Sequence, residues 1–236
     1  MWMVASIGKG ELVFISALSW CYIWTPGVVA LIFSKRKNVP LRIFSSNLRS
    51  LLLALFGGLV IAGLAFGLVL GFVKINLIDF TFQLFFTTYF SFLFILFVLF
   101  LGGELYWRGY LWEKVKERPF RGIWIIAGLW SLWMIPLILF SPQLKAENLG
   151  FKLTLATVYN VALTPLLVDL RVRGKGIAAP ALFYASLQAA SLFFQMLLPD
   201  EGSWEYEIAR IFLLVFIAFV FKLYSPKYWE KGNLKI

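Results

Sequence analysis

Histidine does not occur among the 236 residues, and cysteine occurs once, at Cys21. The first absence removes the commonest general base and the commonest zinc ligand before any motif is sought. The second excludes an intramolecular disulfide. Charge is scarce as well. Asp, Glu, Lys and Arg make up 14% of the chain, against roughly 25% in an ordinary soluble domain. So little polar side chain cannot cover a surface that faces water all round. What fills the chain instead is apolar: 61% hydrophobic residues and 19% aromatic, with 25 Phe and 10 Trp. The excess apolar surface is expected to face lipid, with Trp at the boundary between lipid and water. A formal charge of +10 raises the question of nucleic acid. The basic residues, however, fall between apolar segments and form no continuous patch, so no nucleic-acid partner is expected.

A spanning helix needs about 20 apolar residues. Seven segments qualify or nearly so: Leu12–Ser34, Leu51–Val73, Leu84–Gly103, Gly122–Phe140, Leu153–Leu170, Gly176–Leu198 and Ile208–Phe221. The first is too long for a signal peptide, and its basic cluster follows it rather than precedes it. With no internal repeat or linker, the expectation is one all-α integral membrane domain over residues 1–236, a bundle of about seven spanning helices.

The connecting segments sort the charge. Lys35, Arg36, Lys37, Arg42 and Arg49 follow the first segment, and Arg108, Lys114, Lys116, Arg118 and Arg121 follow the third. Arg171, Arg173 and Lys175 follow the fifth, and Lys222, Lys227, Lys231 and Lys235 close the chain. The other side receives Lys9, Lys74, Lys145, Lys152 and Arg210, with Asp200, Glu201 and Glu205. Positive-inside asymmetry then predicts a multi-pass protein with its N-terminus outside and its C-terminus in the cytoplasm, and a prokaryotic cell membrane is the expected location.

Polar residues inside apolar segments carry the functional information. Glu104 and Arg108 stand one helical turn apart at the inner end of the third segment. An ionisable pair at that depth reads either as a functional site or as an ion pair anchoring the helix at the interface. Tyr184, Gln188, Ser191 and Gln195 form one stripe on the sixth segment, which must face the bundle interior. That stripe suits interhelical hydrogen bonding as well as a site. Asn160 and Thr164 make a smaller pair on the fifth, where Asp169 and Arg171 read as solvated interface residues. Gly63, Gly67 and Gly71 recur at four-residue spacing and would admit a neighbouring backbone. Pro26, Pro136, Pro165 and Pro180 each free a backbone carbonyl that needs another partner, and several broken helices would fit a polar cavity.

Three of these stretches carry a resemblance. GELYWRGYLWEKVKER from Gly103, GLWSLWMIPL from Gly128 and RGKGIAAPALFYASLQAA from Arg173 are similar to the three motifs of the CPBP family, the CAAX-protease and bacteriocin-processing membrane proteins that include type II CAAX prenyl proteases. WTPGVVALI, from Trp24, resembles the family's first core helix. The resemblance spans roughly residues 20–198 in order and spacing, with its core at about 84–198. It implies a CPBP-like helical core and an intramembrane endopeptidase ancestry. The family's motifs are Glu-Glu-x-x-x-Arg, aromatic-x-x-x-His and His-x-x-x-Asn or Asp. Matched onto this chain, the first glutamate falls at Gly103, the second at Glu104 and the arginine at Arg108. The two histidines fall at Met134 and Tyr184, and the Asn or Asp at Gln188.

The resemblance implies that the first glutamate and the second-motif histidine activate water, and that the third-motif pair stabilises an oxyanion. Gly103 and Met134 cannot accept a proton, and a positioned general base is worth about 10²–10⁴ in rate. Glu104 stands about 100° around the helix from Gly103, so it takes over only through a rotation or local unwinding. Tyr184 and Gln188 can still donate hydrogen bonds. Without His, no three-ligand zinc site can be assembled from the spans, so neither metal nor other cofactor is expected.

The leading expectation is therefore a catalytically degenerate CPBP-fold pseudoprotease. It would bind a membrane protein, a peptide or a lipid-linked ligand in a cavity facing the cytoplasm. The alternative is an active endopeptidase cleaving prenylated or membrane-tethered peptides, with Glu104 as base and Tyr184 and Gln188 as donors. A third reading is a small transporter or channel.

Overall fold

Each apolar run forms a helix, because in lipid a helix is the only open segment that satisfies its own backbone. The computed structural model describes residues 9–72, 81–139, 148–198 and 203–224. Its elements are α1 (Lys9–Lys37), α2 (Leu48–Leu70), α3 (Phe82–Glu104), a π-helical segment (Leu105–Leu111), α4 (Trp112–Val115), α5 (Pro119–Leu139), α6 (Leu149–Gly174), α7 (Ala178–Met196) and α8 (Ser203–Tyr224). Because α3, the π-helical segment and α4 run without interruption, the described residues form seven rods, as the apolar runs require. Lys74, Lys145, Asp200, Glu201, Lys227, Lys231 and Lys235, and the expected helix ends at Val73 and Phe140, lie outside the described residues.

Local signals set the helix starts. Asn47 caps α2 by accepting from the Ser50 amide at 2.8 Å, and Thr81 caps α3 by accepting from the Leu84 amide at 3.1 Å. Pro119 occupies the first position of α5, where its missing N–H costs nothing. Four rods are long and apolar enough to cross a membrane: Leu48–Leu70, Phe82–Val115, Pro119–Leu139 and Leu149–Gly174. The 19 residues of α7 reach about 28 Å, close to the ~30 Å hydrocarbon core. The chain is a multi-pass membrane protein, and its exposed Phe56, Phe90, Phe94, Trp124, Leu132 and Phe212 face the bilayer.

Helix α7 is the centre of the bundle. It packs against α2, α3 and α6, and most of Ala178–Phe193 is buried. Gly58 allows the α2–α7 approach: a Cβ there would stand 2.5 Å from the Leu187 amide nitrogen and 2.8 Å from the Phe183 carbonyl. A hydroxyl link tightens it, as Ser186 donates to the Leu55 carbonyl and pairs with the Tyr89 hydroxyl of α3 at 2.9 Å. Gly27 and Gly102 make the equivalent close crossing of α1 and α3.

The glycine stripe expected to serve this purpose does not. A Cβ on Gly67 would meet nothing within 4 Å, and one on Gly63 would only touch the Phe194 ring at 3.8 Å. Four-residue spacing marks a shared face of a helix, but it does not say whether a neighbour stands opposite.

The prolines leave their helices intact. Pro26, Pro136 and Pro165 lie inside continuous α1, α5 and α6. Pro136 lacks the N–H that would pair with the Leu132 carbonyl, and at the next carbonyl, of Trp133, the Tyr22 hydroxyl of α1 donates at 2.6 Å. Tyr22 also stacks on Trp133 at 4.4 Å.

The basic segments meet at one end of the bundle. The Ile177 and Ala178 amides donate to the Arg42 and Ile43 carbonyls, Ser45 donates to the Lys175 carbonyl, and Arg171 pairs with Glu113 at 3.1 Å. Phe151 and Trp204 meet at the opposite end.

Candidate functional site

Glu104 sits where α3 gives way to the π-helical segment. A π turn takes in one extra residue, which shifts the side-chain register beyond it and leaves backbone groups needing partners outside the helix. Arg171 of α6 fills that need by donating its Nε to the Arg108 carbonyl at 3.1 Å, while its Nη2 holds Glu113. Gly109 lets the turn seat against the start of α7, since a Cβ there would stand 2.9 Å from Ile177.

The resulting pair is completely enclosed. Arg108 is 0% exposed and Glu104 is 2% exposed. Arg108 Nη1 donates to Glu104 Oε1 at 2.8 Å, and its Nη2 donates to the Thr164 hydroxyl at 3.3 Å. The Thr164 hydroxyl in turn donates to the Asn160 carbonyl at 2.7 Å. The guanidinium lies 4.2 Å from the ring centroid of Trp130, which spreads its charge over an aromatic face. Glu104 Oε2 and Arg108 Nε are buried with no protein partner.

The other matched positions surround this pair. Gly103 is buried beside Glu104, and a Cβ there would meet the Trp107 ring at 3.7 Å, an ordinary contact. Tyr184 stacks on Phe100 at 3.9 Å and stands edge-on to Trp130 at 5.5 Å, so Arg108, Trp130 and Tyr184 form one continuous stack. Met134 packs at the edge of the same core. Gln188, one turn beyond Tyr184, is hydrogen-bonded to it and also reaches away from the pair. Its Nε2 donates to the Tyr159 hydroxyl at 2.9 Å, and its Oε1 accepts from Arg210 Nη1 at 3.2 Å. Among these residues, no hydrogen bond joins Glu104 to Tyr184 or to Gln188.

Reading the sequence missed this second polar cluster. Arg210 of α8 counts there as an outward charge, yet it is 5% exposed, paired with Glu207 and stacked 4.9 Å over Tyr159. The Tyr206 hydroxyl donates to Ser191 at 3.1 Å, and Gln195 Nε2 donates to Glu207 at 2.7 Å. The polar stripe of α7 therefore faces the bundle interior, as its spacing requires, with Tyr184 toward α3 and α5 and Gln188, Ser191 and Gln195 toward α6 and α8. The available signal was Glu207 three residues before Arg210 at the head of an apolar run.

Asp169 and Arg171 also differ from expectation. They are buried, at 8% and 5% exposure, with Asp169 accepting from Arg173 at 2.7 Å. Their partners lie within α6, on the π-helical segment and on α4, and the sequence does not show that α6 packs alongside that end of the third rod. Among the described residues, no three carboxylate or thiol side chains gather in a way that could hold a metal ion.

Among the described residues the chain is an all-helical, multi-pass bundle with a glutamate–arginine pair enclosed beside its central helix, which places it in the class of polytopic helical membrane proteins. A family model described as type II CAAX prenyl endopeptidase Rce1-like matches residues 83–225, more than half of the chain, and the chain belongs to that family. The match takes in α3 through α8, and thus both polar clusters. A comparison with curated proteins found no match.

Proposed function

We propose that the chain is a catalytically degenerate member of this family, a pseudoprotease that retains the bundle and binds a membrane protein, a peptide or a lipid-linked ligand. One observation carries this reading. The carboxylate nearest the motif's water-activating position, Glu104, already holds Arg108, while Gly103 and Met134 offer no proton acceptor. Loss of a positioned base removes about 10²–10⁴ in rate. Gln188 supports the same reading, since both ends of its amide are engaged by Tyr159 and Arg210 rather than left for an oxyanion. In this proposal the protein is one domain over residues 1–236 with its core at about 84–198. It lies in a prokaryotic cell membrane with the basic end in the cytoplasm, and the ligand reaches the Arg108 region from that end. The test is a peptide-cleavage assay on the purified protein in vesicles, with a farnesylated peptide as substrate. Wild type and Glu104→Ala are expected to leave the peptide intact.

A second reading has one observation in its favour. Glu104 Oε2 is buried and without a protein partner, and the π-helical segment beginning at Leu105 is the kind of local unwinding that re-aims a side chain. Glu104 would then take a proton from water as the general base of an active endopeptidase. Cleavage by wild type that disappears in Glu104→Ala, with no sensitivity to chelator, would establish this reading in place of the first.

A further inference from the structure

The bundle carries a groove that the polar clusters do not use. Helix α6 packs against both α5 and α8, and between those two neighbours a cleft of about 410 Å³ lies open to the outside. Its floor is α6, where Val161, Ala162 and Pro165 keep side chains short. Its walls are Phe120 and Trp124 of α5 and Phe219 of α8. Phe120 is 47% exposed, Trp124 52% and Phe219 58%. Glu104, Arg108, Tyr184 and Gln188 do not line it. The volume falls in the range of small-molecule sites, about 300–1,000 Å³.

Length and charge decide the occupant. From Thr157 to Pro165 the groove follows α6 for about 12 Å. That is less than half of the ~30 Å hydrocarbon core, so it matches a chain from one leaflet and is too short to seat a spanning partner helix. It lies at the basic end, where α5 begins and α8 ends. Arg118 and Arg121 are not among the lining residues but bracket Phe120 in the sequence and are both exposed, and Glu117 is the carboxylate next to them, so the charge at this rim of the groove stays positive. Guanidinium groups at headgroup depth match a phosphate better than a zwitterion.

We propose that this groove is a specific site for an anionic phospholipid, with one acyl chain against Trp124 and Val161 and the phosphate held by Arg118 and Arg121. A cation at the membrane surface favours an anionic lipid by about fivefold, so two give a preference of about 25-fold. The test uses Trp124 as the reporter. Fluorescence quenching by brominated phosphatidylglycerol and by brominated phosphatidylcholine is measured in vesicles of the other, unbrominated lipid, with Trp124→Phe subtracted to isolate this residue. Half-quenching is expected at a mole fraction of the glycerol lipid about 25-fold lower than of the choline lipid. Arg118→Gln with Arg121→Gln should erase that preference and bring the two half-quenching mole fractions together. Both arginines are exposed, and an unshifted melting temperature shows that the fold survives. Val161→Phe, which narrows the floor, should weaken quenching by both lipids.

Equal quenching by the two lipids in wild type would reduce the groove to ordinary annular lipid and overturn the proposal. So would a preference that survives loss of both arginines. Displacement of the brominated lipid by a farnesylated peptide without phosphate would assign the groove to a different occupant.

Discussion

Glu104→Ala strands Arg108, the most deeply buried cation among the described residues. Arg108 is 0% exposed, and its interactions are the Glu104 carboxylate at 2.8 Å, the Thr164 hydroxyl at 3.3 Å and the Trp130 face at 4.2 Å. With the carboxylate gone, one hydroxyl and one aromatic face must support a full positive charge inside the bundle. Breaking a buried pair by removing one partner costs about 3–5 kcal/mol, because the remaining charge is uncompensated. At about 2–4 °C per kcal/mol for a domain of this size, the single variant should melt lower by about 10 °C. Glu104→Leu with Arg108→Met removes both charges and replaces them with apolar side chains of nearer volume. It should recover part of that loss, because replacing a buried pair by apolar groups of similar volume is often close to neutral. The assay is thermal unfolding in detergent of wild type, Glu104→Ala, Glu104→Leu, Arg108→Met and the double variant, the last three read with wild type as a double-mutant cycle. A single variant melting within about 2 °C of wild type, or a double variant that loses the sum of the two singles, refutes the reasoning.

Other outcomes follow from the packing. Gly58→Ala puts a methyl 2.5 Å from the Leu187 amide nitrogen, so α2 and α7 must separate. A loss of about 1–3 kcal/mol is expected in the same melt, against a negligible change for Gly67→Ala, where nothing stands within 4 Å. Tyr22→Phe deletes the hydroxyl donated to the Trp133 carbonyl near Pro136 but keeps the ring stack. It should cost about 1 kcal/mol, and faster amide exchange in α5 checks it.

The bundle was legible because each rod is a long apolar run, and Leu51–Val73 against the observed Leu48–Leu70 shows how closely hydropathy locates one. The interior was legible in part. Tyr184, Gln188, Ser191 and Gln195 share a face by helical geometry alone, so their inward direction follows from spacing. What occupies that interior from other helices does not. Arg210 reads as an outward charge because hydropathy treats an arginine near a helix end as solvated. Its burial depends on Glu207 and on the Gln188 carbonyl of α7, a tertiary contact. The π-helical turn is equally hidden, since its i→i+5 bonding leaves no periodic mark over seven residues. Asp169 and Arg171 read as solvated for the same reason: Glu113 reaches Arg171 only once α6 packs against the third rod. Gly63, Gly67 and Gly71 teach the converse, that a face built for close approach can lack a neighbour opposite.

The most direct test restores the missing acid–base groups. Purified wild type and a variant carrying Gly103→Glu, Met134→His and Tyr184→His are incubated with a farnesylated peptide in vesicles, and the cleaved product is counted by mass spectrometry. The account predicts product only from the restored variant. Product from wild type that vanishes when Glu104 alone is changed to alanine would contradict it.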